Sequence, residues 1–140
     1  MSGFDDNPFL ASLGAHMEHW DEDSVEISLT IRPEHLNRQG VIQGGLVCSL
    51  LDTACGYAGI SPTGDPDRAQ GVTISLAINF IGSVRGGTVT AIGKVTGRGR
   101  KIYFSQAEIR SPEGHVIATA QGSFKYGAPK VQSEAPTVQA

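Results

Sequence analysis

Alternation of apolar and polar residues predicts that much of this chain forms β-strands. In Ser24–Arg32 every second residue is apolar and polar residues lie between them, which is typical of a strand with one buried face. A shorter strand is expected at His16–Trp20. Alternation, or enrichment in β-branched and aromatic residues, predicts four further strands at Gly71–Ile81, Gly87–Thr96, Lys101–Arg110 and Val116–Tyr126.

Short segments that contain glycine separate the last four strands. Gly86-Gly87, Gly97–Gly99 and Ser111–Gly114 have the composition of hairpin turns, whereas Ser61–Arg68 has the composition of a loop. Strands joined by such short turns are antiparallel neighbours. We therefore expect the last four strands to follow one another in space as a meander.

One long helix is predicted among these strands. The segment His35–Ile60 begins as a polar turn, passes through two glycines and continues as a mostly apolar run. A short helix is also expected at Asn7–Leu13, with Asn7 as its N-cap and Gly14 at its end. Because one long helix covers only one face of a sheet, the prediction is an α+β fold. In it, a curved antiparallel sheet of five to six strands wraps around the central helix.

The pattern predicts one domain at residues 7–126. The last 14 residues, 127–140, are short of large apolar residues and contain two prolines, so we expect a disordered tail there. Residues 1–6 are expected to form a disordered N-terminus. The sheet face that the helix leaves uncovered must be solvated or covered by another subunit.

Composition excludes several classes of protein. The chain of 140 residues fits one domain, and its formal net charge of −3 argues against a general nucleic-acid binder. No apolar run approaches the roughly 20 residues of a membrane span, and the acidic N-terminus lacks the features of a signal peptide. On a helix, Cys48 and Cys55 lie about 10 Å apart along the axis, beyond disulfide reach. We therefore expect a reduced, cytoplasmic protein.

The candidate chemistry lies on the long helix. Asp52 is an acid within an apolar run, where an unpaired carboxylate is costly. It is either a general base or nucleophile, or an acid paired with a buried polar group or set on an exposed helix edge. The amides that follow Gly44-Gly45 either stabilise an oxyanion or reflect only a tight turn. Neither cysteine has a histidine nearby in sequence to activate it as a nucleophile.

Helix geometry separates the two candidate groups. Gly44 and Asp52 are eight residues apart, about 12 Å along one helix, whereas an oxyanion donor and an attacking group must both lie near the same carbon. Two antiparallel copies of the helix would bring Gly44 of one subunit to Asp52 of the other. The expected assembly is a homodimer with two composite sites.

The spacing of these residues resembles that of hotdog-fold acyl-CoA thioesterases, most closely the phenylacetate-pathway (PaaI-type) branch. The resemblance covers roughly residues 7–126 and rests on His35, Asn37, Gly40, Gly44-Gly45 and Leu50-x-Asp52, followed by the strands. It implies a central helix wrapped by a curved sheet, and two subunits that join their sheets, with a dimer of dimers as the expected tetramer. No cofactor is implied, because coenzyme A is part of the substrate.

The resemblance also implies roles for individual residues. Asp52 matches the acid that activates water or attacks the thioester, and Gly44 matches the amide that polarises the carbonyl. Asn37 places the carbonyl or the water, and Thr73 assists the water. The expected substrate-binding residues are His35, Gln43, Gly45 (also a packing glycine), and, for the coenzyme A phosphates, Arg98, Arg100 and Lys101.

One position departs from the family pattern, because relatives commonly carry histidine where this chain has Gln43. Glutamine hydrogen-bonds but does not exchange a proton near neutral pH.

Two alternatives to hydrolysis are a hotdog module that binds acyl-CoA without turnover and a hydroxyacyl-thioester dehydratase. The helix contains no histidine of the kind that dehydratases use. His16 and His19, with Glu18 and Asp21, fit no common metal site, so no metal is expected.

Overall fold

Six antiparallel strands wrap around one long helix in the computed structural model, which describes residues 4–127. The α+β prediction, with a central helix and a sheet of five to six strands, is confirmed. In chain order the elements are α1 (Pro8–Leu13), β1 (Ala15–Asp21), β2 (Ser24–Thr30), α2 (Gly44–Gly59), β3 (Gly71–Phe80), β4 (Thr88–Arg98), β5 (Ile102–Arg110) and β6 (Val116–Tyr126).

The long helix α2 forms the centre of the hydrophobic core. Its apolar residues recur three and four positions apart, so they form one broad stripe that faces the concave side of the sheet. Helix and sheet approach most closely at Gly93, where an added Cβ would lie 2.2 Å from the carbonyl oxygen of Ala54. The buried residues of the stripe are Leu46, Val47, Leu50, Leu51, Ala54, Cys55, Ala58 and Gly59.

The order of the strands corrects the predicted meander. The order of strands in the sheet is β1-β2-β4-β5-β6-β3. Of the last four strands, only β4, β5 and β6 follow one another in space, and β3 pairs with β6. Gly86-Gly87 is therefore not a hairpin turn. Residues 81–87 instead cross the end of the sheet, held by the Ile42 amide donating to the Val84 carbonyl at 2.8 Å. Turn composition alone does not distinguish a hairpin from such a crossing.

The N-terminal residues 4–6 belong to the fold, contrary to the prediction that residues 1–6 lie outside it. Phe4 is only 3% exposed, and its ring packs edge-on against Tyr57 of α2 at 5.5 Å between centroids. The predicted cap of α1 is present, since the Asn7 side chain accepts from the Leu10 amide, and Gly14 ends the helix with φ of 81°. The predicted tail at 128–140 lies outside the described residues.

Strand β3 is exposed along almost its whole length, unlike the other long strands. It forms one edge of the sheet and carries apolar side chains that are more than half exposed, including Val72 at 62%, Ile74 at 57% and Phe80 at 59%. A long apolar edge strand is a ready template for pairing with another chain. Between residues 4 and 127, no helix has the length and apolar character needed to cross a bilayer.

Candidate active site

The structure pairs two of the predicted site residues, Asp52 and Thr73. Asp52 lies half-buried in the third turn of α2, and the hydroxyl of Thr73 donates to its carboxylate oxygen Oδ1 at 2.7 Å. A hydroxyl that donates to a carboxylate in this way fixes the orientation of that carboxylate. Asp52 is thus an oriented acid on the exposed edge of an otherwise apolar helix.

A bulge in β3 explains why Thr73 faces the helix. Thr73 is paired with Phe124 and Leu76 with Gly122, so three residues of β3 span two residues of β6. The extra residue reverses the alternation, and it places Thr73 on the same face as Leu76. Without the bulge, strict alternation would turn the Thr73 hydroxyl away from Asp52.

The first amides of α2 are available to a ligand. The amides of Leu46 and Val47 both bond to the Gln43 carbonyl, whereas those of Gly44 and Gly45 donate to no acceptor among residues 4–127. Free amides at a helix N-terminus carry partial positive charge and favour an oxyanion. The side of Gly44 faces the end of β3, since an added Cβ there would lie 3.6 Å from Phe80 Cε1.

The predicted residues before α2 are engaged within their own loop. Asn37 Oδ1 accepts from the amides of Gln39 at 2.9 Å and Val41 at 3.2 Å. His35 is 4% exposed, and its Nδ1 accepts from the Arg32 amide at 2.9 Å. Both side chains therefore shape the turn that delivers the chain to Gly44.

The two residues that flank Gly44 are exposed. Gln43 is the N-cap residue of α2 but makes no capping hydrogen bond with its side chain. An added Cβ at Gly45 would have no neighbour within 4 Å among the described residues. The expectation that Gly45 is a packing glycine is therefore not met within one chain, and the space beside it is open.

The predicted phosphate-binding residues separate into two environments. Arg98 is part of β4 and not of the hairpin tip. Its guanidinium contacts Asp23, the Tyr126 hydroxyl and the Gly59 carbonyl at the end of α2. Arg98 therefore anchors the C-terminus of the helix. Arg100 and Lys101 are exposed in the turn between β4 and β5.

A cavity of about 490 Å³ opens beside Asp52 and Thr73. It follows the side of α2 that the sheet leaves uncovered, and it is large enough for a small ligand group. Sequence reasoning missed most of its lining, since loop residues 69–70 and residues 6–7 carry no recognisable motif. The lining also includes Trp20, Tyr57, Ile60 and Phe124.

Burial makes the neighbouring thiol unreactive. Burial, and to a smaller extent the charge of Asp52, raises the pKa of Cys55 to about 12, so thiolate is scarce at neutral pH. Cys55 is fully buried and unpaired. Among residues 4–127, no cluster of three or more His, Cys, Asp or Glu side chains is arranged to hold a metal ion.

Comparison with known proteins agrees with this geometry. Residues 39–118 match the family described as Thioesterase superfamily. The SSO2140 protein of Saccharolobus solfataricus is 30% identical over 108 residues, covering 77% of this chain and 75% of that protein. The medium/long-chain acyl-CoA thioesterase YigI of Escherichia coli is 23% identical over 133 residues, which cover 86% of each protein.

The fold also matches that of a solved structure. The E. coli PaaI protein from the phenylacetic acid degradation operon superposes with a TM-score of 0.78 at 24% identity, covering 89% of this chain and 88% of that one. At this identity the likeness establishes the fold alone. Together with the family match, it shows that this chain belongs to the Thioesterase superfamily and adopts the hotdog fold, as its residue pattern predicted.

Proposed function

We propose that this protein hydrolyses an acyl-CoA thioester to a free acid and coenzyme A, with Asp52 as general base or nucleophile. The observation that carries the proposal is the Asp52 carboxylate, oriented by Thr73 at 2.7 Å, at the wall of a 490 Å³ cavity. Membership of the Thioesterase superfamily supports the reaction class.

In the general-base form, the Asp52 carboxylate takes a proton from water as the water oxygen attacks the thioester carbonyl carbon. Negative charge develops on the carbonyl oxygen, where the Gly44 amide stabilises it. The carbon–sulfur bond then breaks, and the proton held by Asp52 passes to the departing coenzyme A sulfur. In the nucleophilic variant, Asp52 attacks the carbonyl directly and water hydrolyses the resulting anhydride.

The site is completed by a second copy of the chain. Thr73 and Asp52 lie near the start of β3, whereas Phe80 and Gly44 lie near its end. Antiparallel pairing of two β3 edges about the middle of the strand brings the Thr73 end of β3 in one subunit opposite the Phe80 end of β3 in the other. That register sets Asp52 of one subunit beside Gly44 of its partner, and it covers the apolar side chains that β3 exposes.

Coenzyme A needs cationic groups for its phosphates. Arg100 and Lys101 are the better candidates of the predicted three, because they are exposed while Arg98 is engaged with Asp23 and Tyr126. A pair of such dimers remains the proposed tetramer. The two cysteines, neither of which is in a disulfide, support a reducing compartment such as the cytoplasm.

Free-thiol release from a panel of acyl-CoAs tests the proposed reaction. Hydrolysis by the wild type and its loss in Asp52→Asn, with the dimer intact, would support it. Asp67→Asn is a matched control, since Asp67 is exposed and does not line the cavity beside Asp52. Tight binding without turnover would instead identify a binding module, and ordinary turnover by Asp52→Asn would refute the role of Asp52.

A further inference from the structure

The cavity beside Asp52 is lined in part by residues that precede α1. Asp6 and Asn7 line the same 490 Å³ space as Asp52 and Thr73. We refer to residues 4–7 as the N-terminal segment. Because these residues lie on a catalytic cavity and not on a remote surface, they are placed to contact whatever group lies next to Asp52.

Three aromatic side chains hold the N-terminal segment against α2. Phe4 is 3% exposed and packs edge-on against Tyr57. Trp20 also packs edge-on against Tyr57, at 5.3 Å between ring centroids, and its indole N–H donates to the Tyr57 carbonyl at 3.1 Å. The Asn7 amide donates to the Phe4 carbonyl at 3.0 Å, which closes a turn. This end of the cavity is therefore a packed wall.

The wall is polar where it meets the cavity. Asp6 is exposed and Asn7 is half-buried, and Gln70 from the loop before β3 lies on the same cavity. Burial raises the pKa of Tyr57, so its hydroxyl stays protonated at neutral pH. Tyr57 lines the same cavity as Asp6 and Asn7.

The helix provides a measure of the available depth. Tyr57 follows Asp52 by five residues, or about 7.5 Å along the axis. An extended alkyl chain advances about 1.25 Å per bond, so this depth corresponds to roughly six carbon–carbon bonds. A longer saturated chain would extend past Tyr57 towards the polar lining around Asp6, where contact between an alkyl chain and a carboxylate is unfavourable.

We propose that the N-terminal segment, with Tyr57, is the end wall of the acyl pocket and limits the substrate to short acyl groups of about six carbons. This rests on the proposed thioesterase function. Asp6 is the residue that discriminates, because its charge disfavours contact with a longer alkyl chain. The expected preference differs from that stated in the name of the relative YigI, a medium/long-chain acyl-CoA thioesterase.

The test compares kcat/KM for acetyl-, butanoyl-, hexanoyl- and decanoyl-CoA in the wild type and in Asp6→Leu. We expect the wild type to favour hexanoyl- over decanoyl-CoA, and Asp6→Leu to raise the decanoyl-to-hexanoyl ratio by about tenfold. Asp5→Leu is the matched control, since Asp5 is also exposed but does not line the cavity. Phe4→Ala, which removes the anchor of the segment, is expected to shift the ratio in the same direction.

Two outcomes would overturn the end wall while leaving the hydrolase intact. An equal change for all four substrates in Asp6→Leu would mean that the cavity holds the pantetheine arm. An unchanged ratio in both Asp6→Leu and Phe4→Ala would mean that the acyl group lies elsewhere. If the wild type hydrolyses none of the four, the proposed function fails; dissociation constants for non-hydrolysable ketone analogues of the same lengths then decide the chain-length claim separately.

Discussion

Replacement of Thr73 by valine tests how the carboxylate of Asp52 is oriented. Valine keeps the shape and the β-propensity of threonine but removes the hydroxyl that donates to Asp52 Oδ1 at 2.7 Å. A hydrogen bond to a charged group contributes about 1.5–3 kcal/mol. Because Thr73 is exposed, we take the lower figure, about 1.5 kcal/mol, which corresponds to about a tenfold loss of rate.

The assay is steady-state release of free thiol from hexanoyl-CoA, with urea unfolding measured in parallel. We expect Thr73→Val to lower kcat about tenfold with KM nearly unchanged, because the hydroxyl acts on the reacting group and not on binding. The free energy of unfolding should fall by no more than about 1.5 kcal/mol. Thr73→Ser retains the donor and should recover most of the rate. Wild-type kcat in Thr73→Val would refute the positioning role, and an equal loss in both variants would show that a general disturbance of the site, and not loss of the hydroxyl, lowers the rate.

Four further predictions concern the framework around the site and its exposed cationic residues. Gly93→Ala should lower the free energy of unfolding by about 3 kcal/mol, since its Cβ would lie 2.2 Å from a backbone oxygen of α2; urea unfolding measures this, and Gly86→Ala, where the space is open, is the control. Arg98→Ala should destabilise the fold by about 2 kcal/mol because it leaves Asp23 and the end of α2 without their partner. An Arg98→Ala variant with wild-type stability would contradict the anchoring role of Arg98. The double variant Arg100→Ala/Lys101→Ala should instead raise KM for acyl-CoA, most strongly at low salt. Since the pKa of Cys55 rises from 9.0 to about 12 on folding, the unfolded state loses the Cys55 proton at a lower pH than the folded state. The free energy of unfolding should therefore fall by about 1.4 kcal/mol per pH unit as the pH rises from 9.0 to about 12. Cys55→Ala should remove this part of the pH dependence.

The elements of the fold were predictable because their patterns are local. The two-residue period of β2 and the apolar stripe of α2 each specify an element and its buried face from neighbouring residues alone. Pairing of β3 with β6 was not predictable, because the glycines at 86–87 suit a hairpin as well as the start of a strand after a crossing. Pairing is decided by contacts between residues distant in sequence.

The candidate site was predictable to a similar extent. The pairing of Asp52 with Thr73 agrees with the roles that the residue pattern implied, although the bulge that makes it possible has no signature in the alternation of β3. Arg98 was expected at a hairpin tip because glycines flank it, yet it is the last residue of β4 and its guanidinium contacts Asp23 and Tyr126. Phe4 stands alone among polar residues, so only its packing against Tyr57 shows that it belongs to the domain.

The central claim is that Asp52 of one subunit acts with Gly44 of the other, and mixed dimers test it directly. Gly44→Pro removes the amide donor, and proline suits the first position of a helix. The residue before a proline must be extended, and Gln43 already is, with φ of −63° and ψ of 133°. Each of Asp52→Ala and Gly44→Pro alone should be inactive. A mixed dimer carries one site with both defects and one with neither.

The measurement is thiol release by mixed dimers purified through two different affinity tags, one on the Asp52→Ala chain and one on the Gly44→Pro chain. The account predicts about half of the wild-type activity per dimer, because one of the two composite sites is restored. If both groups of a site instead came from the same chain, every site in the mixed dimer would carry one defect. Mixed dimers as inactive as the two parent variants would therefore contradict the shared site.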